Sequence, residues 1–138
     1  MNDCGSAENN PEHISLNLPD KPPLALDEAQ SYGLLLPKAY ALLQSDFNMS
    51  GIETEWPVSF GENVFELREI VADRIASSGG PTTEAFYRLL YRADIRETEL
   101  KKVLNDSANS DFITSISEIL IIRALQRAYY REKYRSEH

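Results

Sequence analysis

The sequence predicts a mostly α fold: a compact bundle of five or six helices behind an extended N-terminal segment. Three observations carry this prediction. From residue 29 onward, apolar residues recur at spacings of three and four, the period of a helix that buries one face. Turn clusters at Gly79-Gly80-Pro81 and at residues 105–110 cut that period into pieces of helical length. The chain has 138 residues, 42% of them hydrophobic, which suffices for one domain with a core of its own.

Residues 1–24 read as a flexible or extended leader, with Asn9-Asn10-Pro11, Pro19 and Pro22-Pro23 and few large apolar groups. Within it, Ile14, Leu16 and Leu18 alternate with polar residues, as in a half-buried strand. Ile52, Thr54, Trp56, Val58 and Phe60 alternate in the same way, although Pro57 confines that segment to an edge strand or an extended arm. The two segments either pair as a minor two-stranded ribbon or lay their apolar sides on helices, and the second arrangement is favoured. Trp56, the single tryptophan, reads as a core anchor for the arm, with a partner hot spot as the alternative.

Residues 25–138 read as a single helical domain. Ala29, Tyr32, Gly33, Leu36, Tyr40, Leu43 and Phe47 keep helical spacing. Pro37 interrupts them, so a short helix before it and a second from about Pro37 to Phe47 are expected. Residues 62–78 form a clearer helix centred on Val64, Leu67, Val71 and Ile75, with Glu62, Glu66, Glu69 and Asp73 on the other face. Thr82 or Thr83 opens a helix that runs to about Arg92. Asp94 and Glu97 have capping-box spacing for a short helix ending near Asn105. Asp111 caps the last helix, whose middle turn, through Ile119, Leu120, Ile121 and Ile122, is apolar nearly all round and therefore central.

Composition narrows the function classes. The single cysteine, Cys4, cannot form an internal disulfide, which favours a reducing, cytoplasmic setting. Residues 1–20 lack the basic start and apolar stretch of a signal peptide, and no apolar run is long enough for a membrane span. The histidines are His13 and His138, at the two ends, so a Ser-His or Cys-His nucleophile is not expected. Neither G-x-x-x-x-G-K-[ST] nor G-x-G-x-x-G occurs. The row Glu66, Glu69, Asp73 lacks the histidine that helical carboxylate metal sites usually include, and a solvent-facing charge row is the simpler reading. No catalytic residue, cofactor, metal or small-molecule ligand is expected.

Charge is placed unevenly. The net charge is −8; residues 1–61 account for −7 of it, whereas residues 123–138 are +3. In that basic end Arg123, Arg127, Arg131 and Arg135 follow one another at intervals of four, so a helix would stack them in a stripe with Tyr130 and Tyr134 beside it. Arginine suits a surface that grips carboxylates or phosphates, and tyrosine adds packing or stacking area. The plainer reading is a solvated face paired within the chain to Glu62, Glu66, Glu69 or Asp73. The functional expectation is a non-catalytic protein–protein interaction or assembly module. It would hold a protein partner or a second copy through Arg123, Arg127, Tyr130, Arg131, Tyr134 and Arg135, or through the apolar N-terminal arm. Nucleic-acid binding through the arginine stripe is the alternative, opposed at long range by the net acidity. A metal-dependent enzyme built on the helical carboxylates comes third.

Part of the chain also resembles a known pattern. Leu67, Val71, Ala72 and Ile75 precede Leu90-Tyr91-Arg92-Ala93-Asp94-Ile95-Arg96-Glu97, and Ile121-Ile122-Arg123-Ala124-Leu125-Gln126-Arg127 closes the set. This resembles a family of short, all-helical bacterial proteins of no assigned function that carry an L-Y-R-x-D-[IV]-x-E motif. The likeness covers about residues 67–134, and it implies an all-helical fold and a bacterial source but no site residue. If Asp94 caps a helix starting at Ile95, Arg92 is expected to clamp that turn.

Overall fold

The computed structural model describes residues 18–59, 63–106 and 111–137. In chain order a 3₁₀ segment, Leu26–Leu35, leads into five α-helices: α1 Leu36–Met49, α2 Val64–Ser77, α3 Glu84–Arg92, α4 Glu97–Asp106 and α5 Phe112–Glu137. Among the described residues there is no strand. Residues 52–57 form neither helix nor strand, and Trp56 sets its ring edge-on against Tyr40 and Phe47 of α1, 5.9 and 5.0 Å between centroids. Trp56, partly buried, therefore anchors this segment against the core. Ile14 and Leu16 lie outside the described residues, but Leu18 packs on the core.

The helix before Pro37 is 3₁₀ rather than α, and it kinks at Tyr32 (φ −120°, ψ 28°). The Glu28 carboxylate closes its start by accepting the N–H groups of Leu24 and Ala25. Pro37 then occupies the first turn of α1, where its missing N–H leaves no bond unmade. Asn63 caps α2 by accepting from Phe65 N–H, Thr83 caps α3 through Phe86 N–H, and Asp111 caps α5 through Ile113 N–H. Asp111 also accepts from the Thr114 hydroxyl, and that bond, with its backbone donors, holds its carboxyl below the usual range.

The ends of α1, α2 and α3 share one device. In each, the second residue past the cap donates its N–H back to a carbonyl in the last turn: Ile52 to Phe47, Gly80 to Ile75 and Ile95 to Leu90. This Schellman closure needs the residue between to adopt positive φ. Gly51 (φ 95°) and Gly79 (φ 111°) do so at little cost, and Asp94 (φ 59°) takes the same place after α3. The expectation that Asp94 caps the following helix is corrected here. Asp94 ends α3, and α4 begins two residues later than Ile95. Its start is closed by Glu99, which accepts the Arg96 N–H at 3.1 Å. Arg92 does not clamp the turn either; its Nη2 lies 3.1 Å from Met49 Sδ.

α5 is the central element, packed against α1, α2, α4 and the 3₁₀ segment. Ile116, Leu120, Ile121, Ala124, Leu125, Ala128 and Tyr129 form its buried face. They meet Ala39, Leu43 and Phe47 of α1 and Leu67, Val71 and Ile75 of α2 in one continuous core. Residues 18–24 lie along this helix. Tyr129 Oη donates to Pro19 O, Gln126 Nε2 to Pro23 O, and Tyr32 Oη to Lys21 O. No helix among the described residues is long and apolar enough to cross a membrane.

Candidate functional site

A straight stripe of four arginines is what intervals of four suggest, but an α-helix turns 3.6 residues per revolution. Four residues overshoot one turn by about 40°, so the ladder winds around α5 as it climbs. The structure shows the consequence. Arg123 faces α4 and α3: its Nη2 donates to Glu99 Oε1 at 2.5 Å, and its Nη1 is 3.9 Å from Asp94. Arg127 faces α1 and grips both oxygens of Asp46, at 2.5 and 3.4 Å. Arg131 is exposed and forms no ion pair among the described residues. Arg135 is exposed and turns back on Glu132, which Lys38 of α1 also contacts.

Internal pairing is thus present, but with different partners from those the sequence suggests. Glu66, Glu69 and Asp73 stay exposed on α2, where, among the described residues, Glu69 and Asp73 pair with the adjacent Arg68 and Arg74. Glu62 lies outside the described residues. Among the described residues, the acids that meet the ladder closely are Asp46, Glu99 and Glu132, with Asp94 farther off at 3.9 Å. Two of these carried a signal in the sequence. Asp46 sits on the apolar period of α1, between Leu43 and Phe47, and Glu132 follows Ala128 and Tyr129 on the buried face of α5. An acid on an apolar period must find a cation or lose its charge, and both found one.

The electrostatics follow the geometry. Burial by itself would raise the Glu99 carboxyl, but the Arg96 N–H and the Arg123 guanidinium outweigh it and hold the group below the usual range. Burial, with Arg135 nearby, pushes the Lys38 ammonium down. Across the molecule, the bond from Arg68 Nη1 to Glu118 at 2.8 Å ties α2 to α5 and raises the Arg68 guanidinium further.

The sequence-predicted surface therefore divides. Arg123 and Arg127 hold helices together. Tyr130, Arg131, Tyr134 and Arg135 remain on the solvent side of the last turns, with Tyr130 57% and Tyr134 66% exposed. A separate cleft of about 970 Å³ lies between the 3₁₀ segment and α2, lined by Leu34, Pro37, Tyr40, Val58, Val64 and Phe65 among others. Its described lining carries no carboxylate, histidine, lysine or cysteine. Among the described residues, no three acids, histidines or cysteines gather closely enough to hold a metal ion.

The tyrosines follow a regularity that apolar periodicity does not announce. Of the seven tyrosines, Tyr32, Tyr40 and Tyr129 are buried and four are exposed. Each exposed tyrosine directly precedes an exposed arginine, giving Tyr87-Arg88 and Tyr91-Arg92 on α3 and Tyr130-Arg131 and Tyr134-Arg135 on α5. The hexapeptides Tyr-Arg-Leu-Leu-Tyr-Arg and Tyr-Arg-Glu-Lys-Tyr-Arg are the readable sign of it. Comparison with family models, curated proteins and solved structures found no match.

Proposed function

We propose that this chain is a non-catalytic protein–protein interaction module, and that the outer face of the last turns of α5 holds an acidic protein surface. One observation carries this reading. Tyr130, Arg131, Tyr134 and Arg135 stand together on solvent at the end of a helix whose other face is fixed in the core. Tyrosine and arginine are the residues over-represented where binding energy concentrates, and a preformed helix face spends little entropy on ordering. The single cysteine supports a reducing, cytoplasmic setting for such a module.

The nucleic-acid alternative has less support. Arg123 and Arg127 are engaged inside the fold, and the net charge of −8 opposes a polyanion at long range.

The test is affinity capture and solution mass for wild type and for Arg131→Glu/Arg135→Glu, with circular dichroism as the folding control. Loss of the captured partner, or of self-association, in the folded variant is the expected result. Identical partners and identical mass in both proteins would overturn the reading.

A further inference from the structure

We propose that α3 carries a second docking face, Tyr87, Arg88, Tyr91 and Arg92, and that its occupant is the acidic row of α2 on another copy of this chain. This rests on the reading of the chain as an interaction module and extends it to a different helix.

Folding gives only a partial account of the α3 face. Phe86, Leu89 and Leu90 seat the helix in the core. On the outer side Tyr87, whose ring meets Phe86 edge-on, is 56% exposed and Tyr91 is 87% exposed. Arg88 is steadied where its Nε donates to the Ser50 carbonyl at 3.0 Å, and Arg92 rests on Met49. Neither arginine forms an ion pair among the described residues. The face is thus a preformed pair of cations flanked by two aromatic rings.

Charge and spacing identify the occupant. Arg88 and Arg92 are four residues apart, a rise of about 6 Å along the helix. Glu69 and Asp73 on α2 are also four apart, with the same rise; each touches the adjacent arginine, Arg68 or Arg74, but at 67% and 63% exposure such pairs hold weakly and leave the carboxylates open to a second cation. Glu66 extends that row by nearly another turn and is exposed as well. Two helices laid side by side would match cation to carboxylate at both positions. A chain of net charge −8 repels its own copies overall, so such a contact needs a local basic face of this kind. The face and the row lie on different helices, so the contact is head-to-tail and builds rings or longer assemblies unless two copies close it reciprocally.

The experiment is light scattering after size exclusion on the full chain, at low and high salt. The proteins are wild type, Arg88→Glu/Arg92→Glu, Glu69→Lys/Asp73→Lys, and Arg131→Glu/Arg135→Glu, each checked for folding by circular dichroism. The expected result is a wild-type mass at least double the 15.6 kDa of one chain at low salt, falling to that value at high salt. Each of the α3 and α2 variants alone should be monomeric, and an equimolar mixture of the two should regain the larger mass. That recovery would separate a true contact from a general loss of charge. A monomeric wild type, or an α3 variant that assembles as wild type does, would overturn the proposal. Binding of a DNA or RNA oligonucleotide that tracks Arg88 and Arg92 while the protein stays monomeric would overturn it too. If the Arg131→Glu/Arg135→Glu variant loses assembly while the α3 variant keeps it, the α5 reading stands and this one falls; the converse result separates them in the other direction.

Discussion

The guanidinium of Arg127 lies 2.5 Å from the carboxylate of Asp46, a side chain only 7% exposed, and so ties the middle of α5 to the last turn of α1. Removing the arginine leaves the Asp46 carboxylate charged and short of partners in a dry place. Arg127→Met should therefore destabilise the protein by about 3 kcal/mol. Replacing both groups by apolar residues of similar size, Arg127→Met with Asp46→Leu, should recover most of that loss, because neither charge then has to be desolvated. Urea denaturation of the two single variants and the double variant measures this coupling. Equal, additive losses would show that the pair does not act as a unit.

Arg131 is one step up the same ladder and should behave differently. It is exposed, and among the described residues it meets no acid. Arg131→Ala should shift stability by no more than about 0.5 kcal/mol while weakening whatever the α5 face holds. A loss comparable to that of Arg127→Met would mean that Arg131 belongs to the folding machinery and would remove it from the binding face.

The contrast between these two arginines shows how far the sequence could be read. Apolar period and turn chemistry were enough for the helices, because both are local: Val64, Leu67, Val71 and Ile75 need no neighbour to announce a buried stripe. Which arginine turns inward was not local. It depends on the 40° or so by which each step of four overshoots a turn, and on what α1 and α4 present at that height. Asp46 and Glu132 were visible as acids on apolar periods, and Arg135 lies within a turn of Glu132, but the cations that tie them to another helix, Arg127 and Lys38, lie 81 and 94 residues away in the chain. Pairings of that range come from packing, which a single sequence does not display.

Asp94 makes a prediction of the opposite sign. It stands at the positive-φ position of the α3 closure with φ 59°, where α1 and α2 each have glycine. A side chain in that region crowds the following carbonyl, and aspartate tolerates it only partly. Its charge contributes little, since it is 80% exposed and 3.9 Å from Arg123. Asp94→Gly should therefore stabilise the protein by about 0.5–1 kcal/mol, despite removing an acid near a base. The denaturation midpoint should rise without a change in slope, and a fall would show that the Arg123 contact outweighs the backbone strain.

Glu99 gives the fold a pH dependence whose direction can be worked out. Its carboxyl is held below its ordinary value of 4.5, because the Arg96 N–H and the Arg123 guanidinium favour the charged form more than burial opposes it. The folded state thus takes up its proton at lower pH than the unfolded chain does. Stability from this group is fully present above the unfolded value and is lost as pH falls through the folded one. Glu99→Gln keeps the shape but has no proton to gain. The variant should be less stable than wild type at neutral pH, and the gap should narrow as pH drops from about 5 toward 3. Thermal midpoints of the two proteins across that range test it. A constant gap at every pH would show that Glu99 acts through its hydrogen-bond geometry alone, and that its charge does not anchor α4 to α5.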